Sequence, residues 1–95
     1  LVSGDKRCSL NKLKKIFGKR DLSMANPEDV KKITGYTIGG VSPVGHLIKT
    51  KILIDENLKN FKSIFAAAGH PNAVFEIDFQ NLKEVTLGEI KEITE

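Results

Sequence analysis

Ninety-five residues suffice for one domain with a modest core. Hydrophobic content of 40% and charged content of 28% are those of an ordinary globular chain, and no apolar run approaches the length that crosses a bilayer, so no membrane partner is expected. The net charge is +3, and a single cysteine, Cys8, excludes an internal disulfide and a cysteine-rich zinc site.

In chain order, Leu1-Val2-Ser3-Gly4-Asp5 reads as a strand ending in a turn. No secretory leader pattern opens the sequence, so a reducing, cytoplasmic setting is expected. Cys8 sits beside a helix start without a histidine partner, which makes it a weak candidate nucleophile. Ser9 is the N-cap of a helix over Leu10 to Phe17, whose Leu10, Leu13, Ile16 and Phe17 recur at helical spacing before the stop at Gly18. Leu22 to Ala25 reads as a short strand. Asn26-Pro27-Glu28-Asp29 then starts a second helix, with Asn as cap, Pro in the first turn and acids at the positive end; it runs to Thr34 and stops at Gly35.

Lys51 to Ile54 is a short apolar strand closed by Asp55, and Glu56 to Asn60 makes one helical turn. Ser63 to Ala68 and Ala73 to Ile77 read as strands, the second with Phe75 and Ile77 inward and Glu76 outward. Asp78 caps a helix bearing Phe79, Leu82 and Val85. The tail, Leu87 to Thr94, fits helix or strand, and the spacing of Ile90 and Ile93 favours helix. The expected fold class is therefore mixed α/β, with short strands in a single domain and no repeat or linker.

Charge divides unevenly. Residues 1–35 hold nine basic and four acidic side chains, a net of +5, whereas residues 36–95 hold six and eight, a net of −2. A basic half attracts a polyanion such as a nucleic acid. A solvated helix face accounts equally well for Lys12, Lys14, Lys15 and Lys19.

The densest chemical signal lies between the two halves, in Thr34-Gly35-Tyr36-Thr37-Ile38-Gly39-Gly40-Val41-Ser42-Pro43-Val44-Gly45-His46. Four glycines and a proline fall between Gly35 and Gly45, alongside the only tyrosine and followed by one of two histidines. Glycine permits positive φ and close backbone approach, and proline fixes φ without an N–H. The run is a shaped loop whose amides can face a ligand. Other chemistries are missing: the sequence has no H-E-x-x-H, no paired cysteines, no P-loop and no dinucleotide fingerprint. Gly40-Val41-Ser42-Pro43-Val44 is not a nucleophile elbow, and Pro43 deletes the amide that would complete its oxyanion hole.

That run, TGYTIGGVSPVGH, resembles the signature loop of the YbaK/prolyl-tRNA-synthetase-associated domain, a family of aminoacyl-tRNA editing deacylases. Further motifs follow the family's order. VSGDKRCSLNKLKKIFGKRDLSMANPEDVKKITGY resembles its strand end, helix, A-x-P-E turn and second helix. KILIDENL resembles its IDE-x-L segment, AAAGH its small-residue strand ending in Gly-His, and EIDFQNLKEVT its last strand-to-helix passage.

The resemblance implies a mixed, mostly antiparallel, barrel-like sheet with flanking helices. It further implies that residues 1–95 are the C-terminal two-thirds of a domain whose N-terminal strands lie outside this sequence. It implies hydrolysis of the ester on a mischarged tRNA, of the Cys-tRNA(Pro) or Ala-tRNA(Pro) type, in trans and without cofactor or metal. The partners implied are the aminoacyl-tRNA 3′ end and a tRNA synthetase. Gly39-x-x-x-Pro43 matches the family's GxxxP loop, which positions the ester carbonyl by main-chain groups; this makes Gly39, Gly40, Ser42 and Pro43 the catalytic candidates. Ser42 either hydrogen-bonds the ligand or caps the turn. Val41, Asp55, Gly69 and His70 are the substrate-binding candidates. Asp55 orients the loop, binds the substrate's amino group, or is a solvated turn carboxylate. His70 lies at the pocket mouth or is an exposed strand end. Ala66, Ala67 and Ala68 leave room for a small amino-acid side chain. His46 occupies a more variable place after the loop. The family's early-strand lysine has no match here, and Lys6, Lys49 and Lys51 do not replace it on motif grounds. The alternative implied is a non-catalytic tRNA- or nucleotide-binding module of the same fold.

Overall fold

A computed structural model describes all residues, Leu1–Glu95. Helix α1, Leu10–Phe17, begins where the Ser9 side chain accepts the Lys12 N–H at 3.2 Å and ends at Gly18 in the left-handed conformation. Helix α2, Pro27–Thr34, is built the same way: Asn26 Oδ1 accepts the Asp29 N–H at 2.8 Å, and Gly35 closes it. Each N-cap contributes about 1 kcal/mol relative to alanine. Both helices have the predicted bounds.

Strand β1, Leu53–Asp55, leads into a 3-10 turn, Glu56–Asn60. Strands β2, Ile64–His70, and β3, Ala73–Ile77, form an antiparallel hairpin about Pro71-Asn72. Helix α3, Phe79–Thr86, is capped by Asp78, and strand β4, Glu89–Lys91, follows. The alternation of β3 agrees with expectation, with Phe75 and Ile77 half-buried and Glu76 exposed.

Three expectations are corrected. Leu22 to Ala25 is not a strand: the segment pairs with nothing, and Met24 is 80% exposed. The tail is not a helix. Leu87 turns left-handed at φ 54°, which ends α3, and the chain then lies parallel to β1 in the register Leu53↔Glu89, Ile54↔Ile90, Asp55↔Lys91. The pairing surface of β1 outweighs the weak helical spacing of Ile90 and Ile93. The strands, moreover, do not close into one barrel-like sheet; they form two two-stranded ladders, one parallel and one antiparallel.

The core sits where β1, the 3-10 turn and α3 meet. Ile54, Leu58 and Leu82 are its buried centre, with Ile52, Ile64, Ile77 and Phe79 packed around them. Burying each large aliphatic side chain stabilises the fold by roughly 1.5–3 kcal/mol. Gly88 packs closely here: a Cβ on it would lie 2.8 Å from Ile54 Cδ1, so the Ile54 side chain would have to shift. Backbone from both ends of the sequence ties onto this centre. Leu1 N–H donates to the Leu53 carbonyl at 2.6 Å and the Asp55 N–H donates to the Leu1 carbonyl at 2.9 Å. Cys8 bridges Thr94, with Ser9 N–H donating to Ile93 O at 2.7 Å.

Candidate functional site

The glycine-rich segment leaves α2 and comes back to it. Leu47 N–H donates to Thr34 O at 3.2 Å and Ile48 N–H to Ile33 O at 2.8 Å, so the last carbonyls of α2 hold both ends of one closed loop. Inside it, Thr37 to Gly40 make a tight turn closed by Gly40 N–H donating to Thr37 O at 2.9 Å. Gly39, the third residue, has φ 94°, the value a type II turn demands. The N–H groups of Gly39, Val41 and Ser42 donate to no protein group.

Gly40 is buried and lies directly on the end of β2: a Cβ there would be 2.8 Å from the His70 carbonyl carbon and 2.9 Å from its Cα. Gly39 faces Pro71, its missing Cβ 3.9 Å from the proline ring. The loop and the Gly69–His70 strand end, about thirty residues apart in sequence, are thereby brought together. A register shift between Ala67 and His70 bulges β2 at this point, and a bulge re-aims the side chains beside it.

Tyr36 is the pillar between the two. Its hydroxyl donates to Val44 O at 2.8 Å, and its ring sits where a Gly69 Cβ would stand 3.1 Å from Cε1. His46 meets the same ring edge-on, with centroids 6.2 Å apart. The His46 ring bonds at both nitrogens, to Ser42 O at 2.7 Å and to Thr50 Oγ1 at 2.8 Å. Ser42 is buried and its hydroxyl oxygen accepts the Val44 N–H at 3.3 Å, the geometry of a turn cap. Pro43 is buried beside it, and Val41 is half-buried.

His70 is exposed, and its Nδ1 accepts the Asn72 N–H at 3.1 Å, an assignment that leaves the proton on the outward Nε2. The side-chain hydrogen bonds of Asp55 go to segments other than the loop. The residue is 0% exposed, with Oδ1 accepting the Ile93 N–H at 3.1 Å and Oδ2 accepting the Asn57 N–H at 3.2 Å. It is no solvated turn carboxylate; it fastens the C-terminal segment to β1. Ala66 and Ala67 are half-buried, and Ala68 is exposed at the bulge.

A cleft of about 880 Å³ opens beyond the exit of the loop, between residues 43–52 and the end of α3. Of the predicted site residues only Pro43 lines it. Its lysines differ: Lys51 pairs with Glu89 at 3.4 Å and lies 5.5 Å from the Phe17 ring centroid, while Lys49 is exposed without an ion pair. On α1, Lys12 is drawn to the tail by Glu92 and the Thr94 carbonyl, both at 2.6 Å, so it is not part of a purely solvated face. No cluster of His, Cys, Asp and Glu is arranged to hold a metal ion, and no helix is long and apolar enough to cross a membrane.

Sequence reasoning gave Tyr36 no role and left His46 at a variable place after the loop, without its two partners. The available signal was spacing: Tyr36 precedes Val44 by eight residues, and His46 stands four residues from both Ser42 and Thr50.

The sequence pattern described as "Aminoacyl-tRNA editing domain" matches residues 1–85. A candidate Cys-tRNA(Pro)/Cys-tRNA(Cys) deacylase of Enterococcus faecalis is 28% identical over 99% of this chain and 57% of its own length. A proline–tRNA ligase of Lactobacillus acidophilus is 37% identical over 80% of this chain, but that match covers only 14% of the ligase. Among solved structures, a candidate trans-editing enzyme for prolyl-tRNA synthetase superposes with a TM-score of 0.95 at 37% identity, over all of this chain and 60% of that one. The chain thus spans little more than half the length of the stand-alone relatives.

Proposed function

The chain belongs to the aminoacyl-tRNA editing domain family, and we propose that it hydrolyses, in trans and without a cofactor, the ester joining a wrong amino acid to the 3′-terminal adenosine of a tRNA. The amino acid is small, of the cysteine or alanine class, and the tRNA is that of proline. The observation that carries this reading is the seating of Gly40 on the His70 backbone, which sets the loop's free amides beside the strand end.

In this reading water adds to the ester carbonyl carbon and charge develops on its oxygen. The Gly39, Val41 and Ser42 amides are the donors available to that oxygen, since Gly40 N–H is already committed to Thr37. Loss of one such donor costs roughly 10²–10³ in rate in enzymes that use this device. The carbon–oxygen bond to the ribose then breaks, the ribose oxygen takes a proton, and free amino acid leaves. The Asp55 carboxylate is not the base, because it is wholly buried with each oxygen accepting a backbone amide. No side chain of the site supplies the nucleophile: it is water, or a substrate group in its stead. His70, with Nε2 outward, contacts the amino acid or the terminal adenosine. The setting is the cytoplasm, beside a tRNA synthetase.

The test is deacylation of Cys-, Ala- and Ser-charged tRNA(Pro) by the wild-type chain and by Gly40→Val. Hydrolysis of one of them, lowered at least about a hundredfold in the variant, is expected. Salt-sensitive tRNA binding without hydrolysis by the wild type would overturn the enzymatic reading and leave a binding module.

A further inference from the structure

We propose that His46 is a positioning residue for the loop: held in one tautomer by Thr50, it keeps the Ser42 carbonyl oxygen turned away from the ester. The inference rests on the hydrolase reading above. A carbonyl only accepts, so the 2.7 Å contact from Nε2 to Ser42 O places the ring proton on Nε2. Nδ1 of the neutral ring is then an acceptor, and the Thr50 hydroxyl donates to it at 2.8 Å. Thr50 thus selects the tautomer that Ser42 needs.

The neighbouring contacts act in the same sense. Tyr36 Oη takes the Val44 carbonyl, and Ser42 Oγ takes the Val44 N–H. Two carbonyls of the loop exit, those of Ser42 and Val44, are therefore tied to side chains on either side of the rigid Pro43. A freed Ser42 carbonyl has no competing N–H in the following residue, because Pro43 has none. Turned toward the ligand, its lone pairs would oppose the oxygen on which negative charge develops. The imidazole removes that possibility at no cost at the moment of reaction.

Gln at this position reaches as far as Nε2 and donates there; Asn reaches only as far as Nδ1. The experiment measures kcat and KM for the best charged tRNA with wild type, His46→Ala, His46→Asn and His46→Gln, together with thermal midpoints and ¹H–¹⁵N spectra. Alanine and asparagine are expected to lower kcat about tenfold with KM little changed, and glutamine to restore it to within about threefold. The wild-type ring nitrogens are expected to report a protonated Nε2. The Gly39, Val41 and Ser42 amide resonances should move in the alanine and asparagine variants and return with glutamine. Unchanged kcat in the alanine variant, or rescue by asparagine equal to that by glutamine, overturns the proposal. If wild type hydrolyses no charged tRNA, the hydrolase reading fails on its own. The amide resonances then decide the positioning claim: unmoved resonances sink it, and glutamine-restored ones sustain it.

Discussion

The loop of residues 35–48 and the centre around β1 are held by opposite means. At β1 the side chains themselves are the structure: Ile54 is 0% exposed and Leu82 nearly so, and even the one carboxylate there, Asp55, is wholly enclosed and answered by two amides. In the loop the large aliphatic side chains face outward, Leu47 at 73% exposure among them, and shape comes from backbone contacts, one tyrosine, one histidine and glycines that let chains touch. The first region stores stability in buried area. The second stores a geometry at little gain in stability, which is how a binding loop on a rigid support is built.

Substitutions at the two places should therefore separate stability from shape. Leu82→Ala should cause the largest loss, about 2–5 kcal/mol by urea unfolding, with kcat of the remaining folded protein unaltered. A loss well under 1 kcal/mol would show that the centre is not where stability resides. Asp55→Ala strips the acceptors from the Ile93 and Asn57 amides and should cost about 1–3 kcal/mol. An unchanged KM for charged tRNA would mark its role as fastening the tail, and a raised KM at unchanged stability would return it to substrate binding. In the loop, Tyr36→Phe removes one hydrogen bond, to Val44 O, and should lower stability by only about 0.5–1.5 kcal/mol while reducing hydrolysis more than that loss of fold explains.

The smallest effect belongs to the exposed start of the chain. The Ser3 hydroxyl donates to Asp5 and holds its carboxyl below the ordinary value of 3.8. A carboxyl lowered in the folded state stabilises above its unfolded pKa and loses that contribution as pH falls through the folded one. Ser3→Ala should move the Asp5 titration upward in an NMR pH series and flatten that acid-side dependence, the small contribution being lost at neutral pH and nothing changing below the folded pKa.

Whatever was encoded by neighbours was readable from sequence. Ser9, Gly18, Asn26 and Gly35 mark the ends of α1 and α2 by local chemistry alone, and Asp78 does so for α3. Whatever depends on a distant partner was not. The tail became a strand because β1 lay open beside it, and the Asp55 partner Ile93 is 38 residues away. Leu22 to Ala25 had strand-like residues without a strand to pair with. In the site, the loop and the Gly-His strand end were both recognisable as motifs, yet that they touch at Gly40 could be learned only in three dimensions. Nor does any motif announce that one imidazole would serve the carbonyl of a serine four residues earlier.

The position of β1 also dictates an order of events during synthesis. Its backbone partners are Leu1 on one side and Glu89 to Lys91 on the other, so the strand has neighbours drawn from opposite ends of the sequence. The three capped helices and the β2–β3 hairpin close on local contacts and can form while the chain is still emerging. The ladder that seals the centre has to wait for residues 89–93, and contacts of such long sequence separation form slowly. Until then Ile54 lacks its neighbour Ile90, and the emerging chain presents aggregation-prone surface.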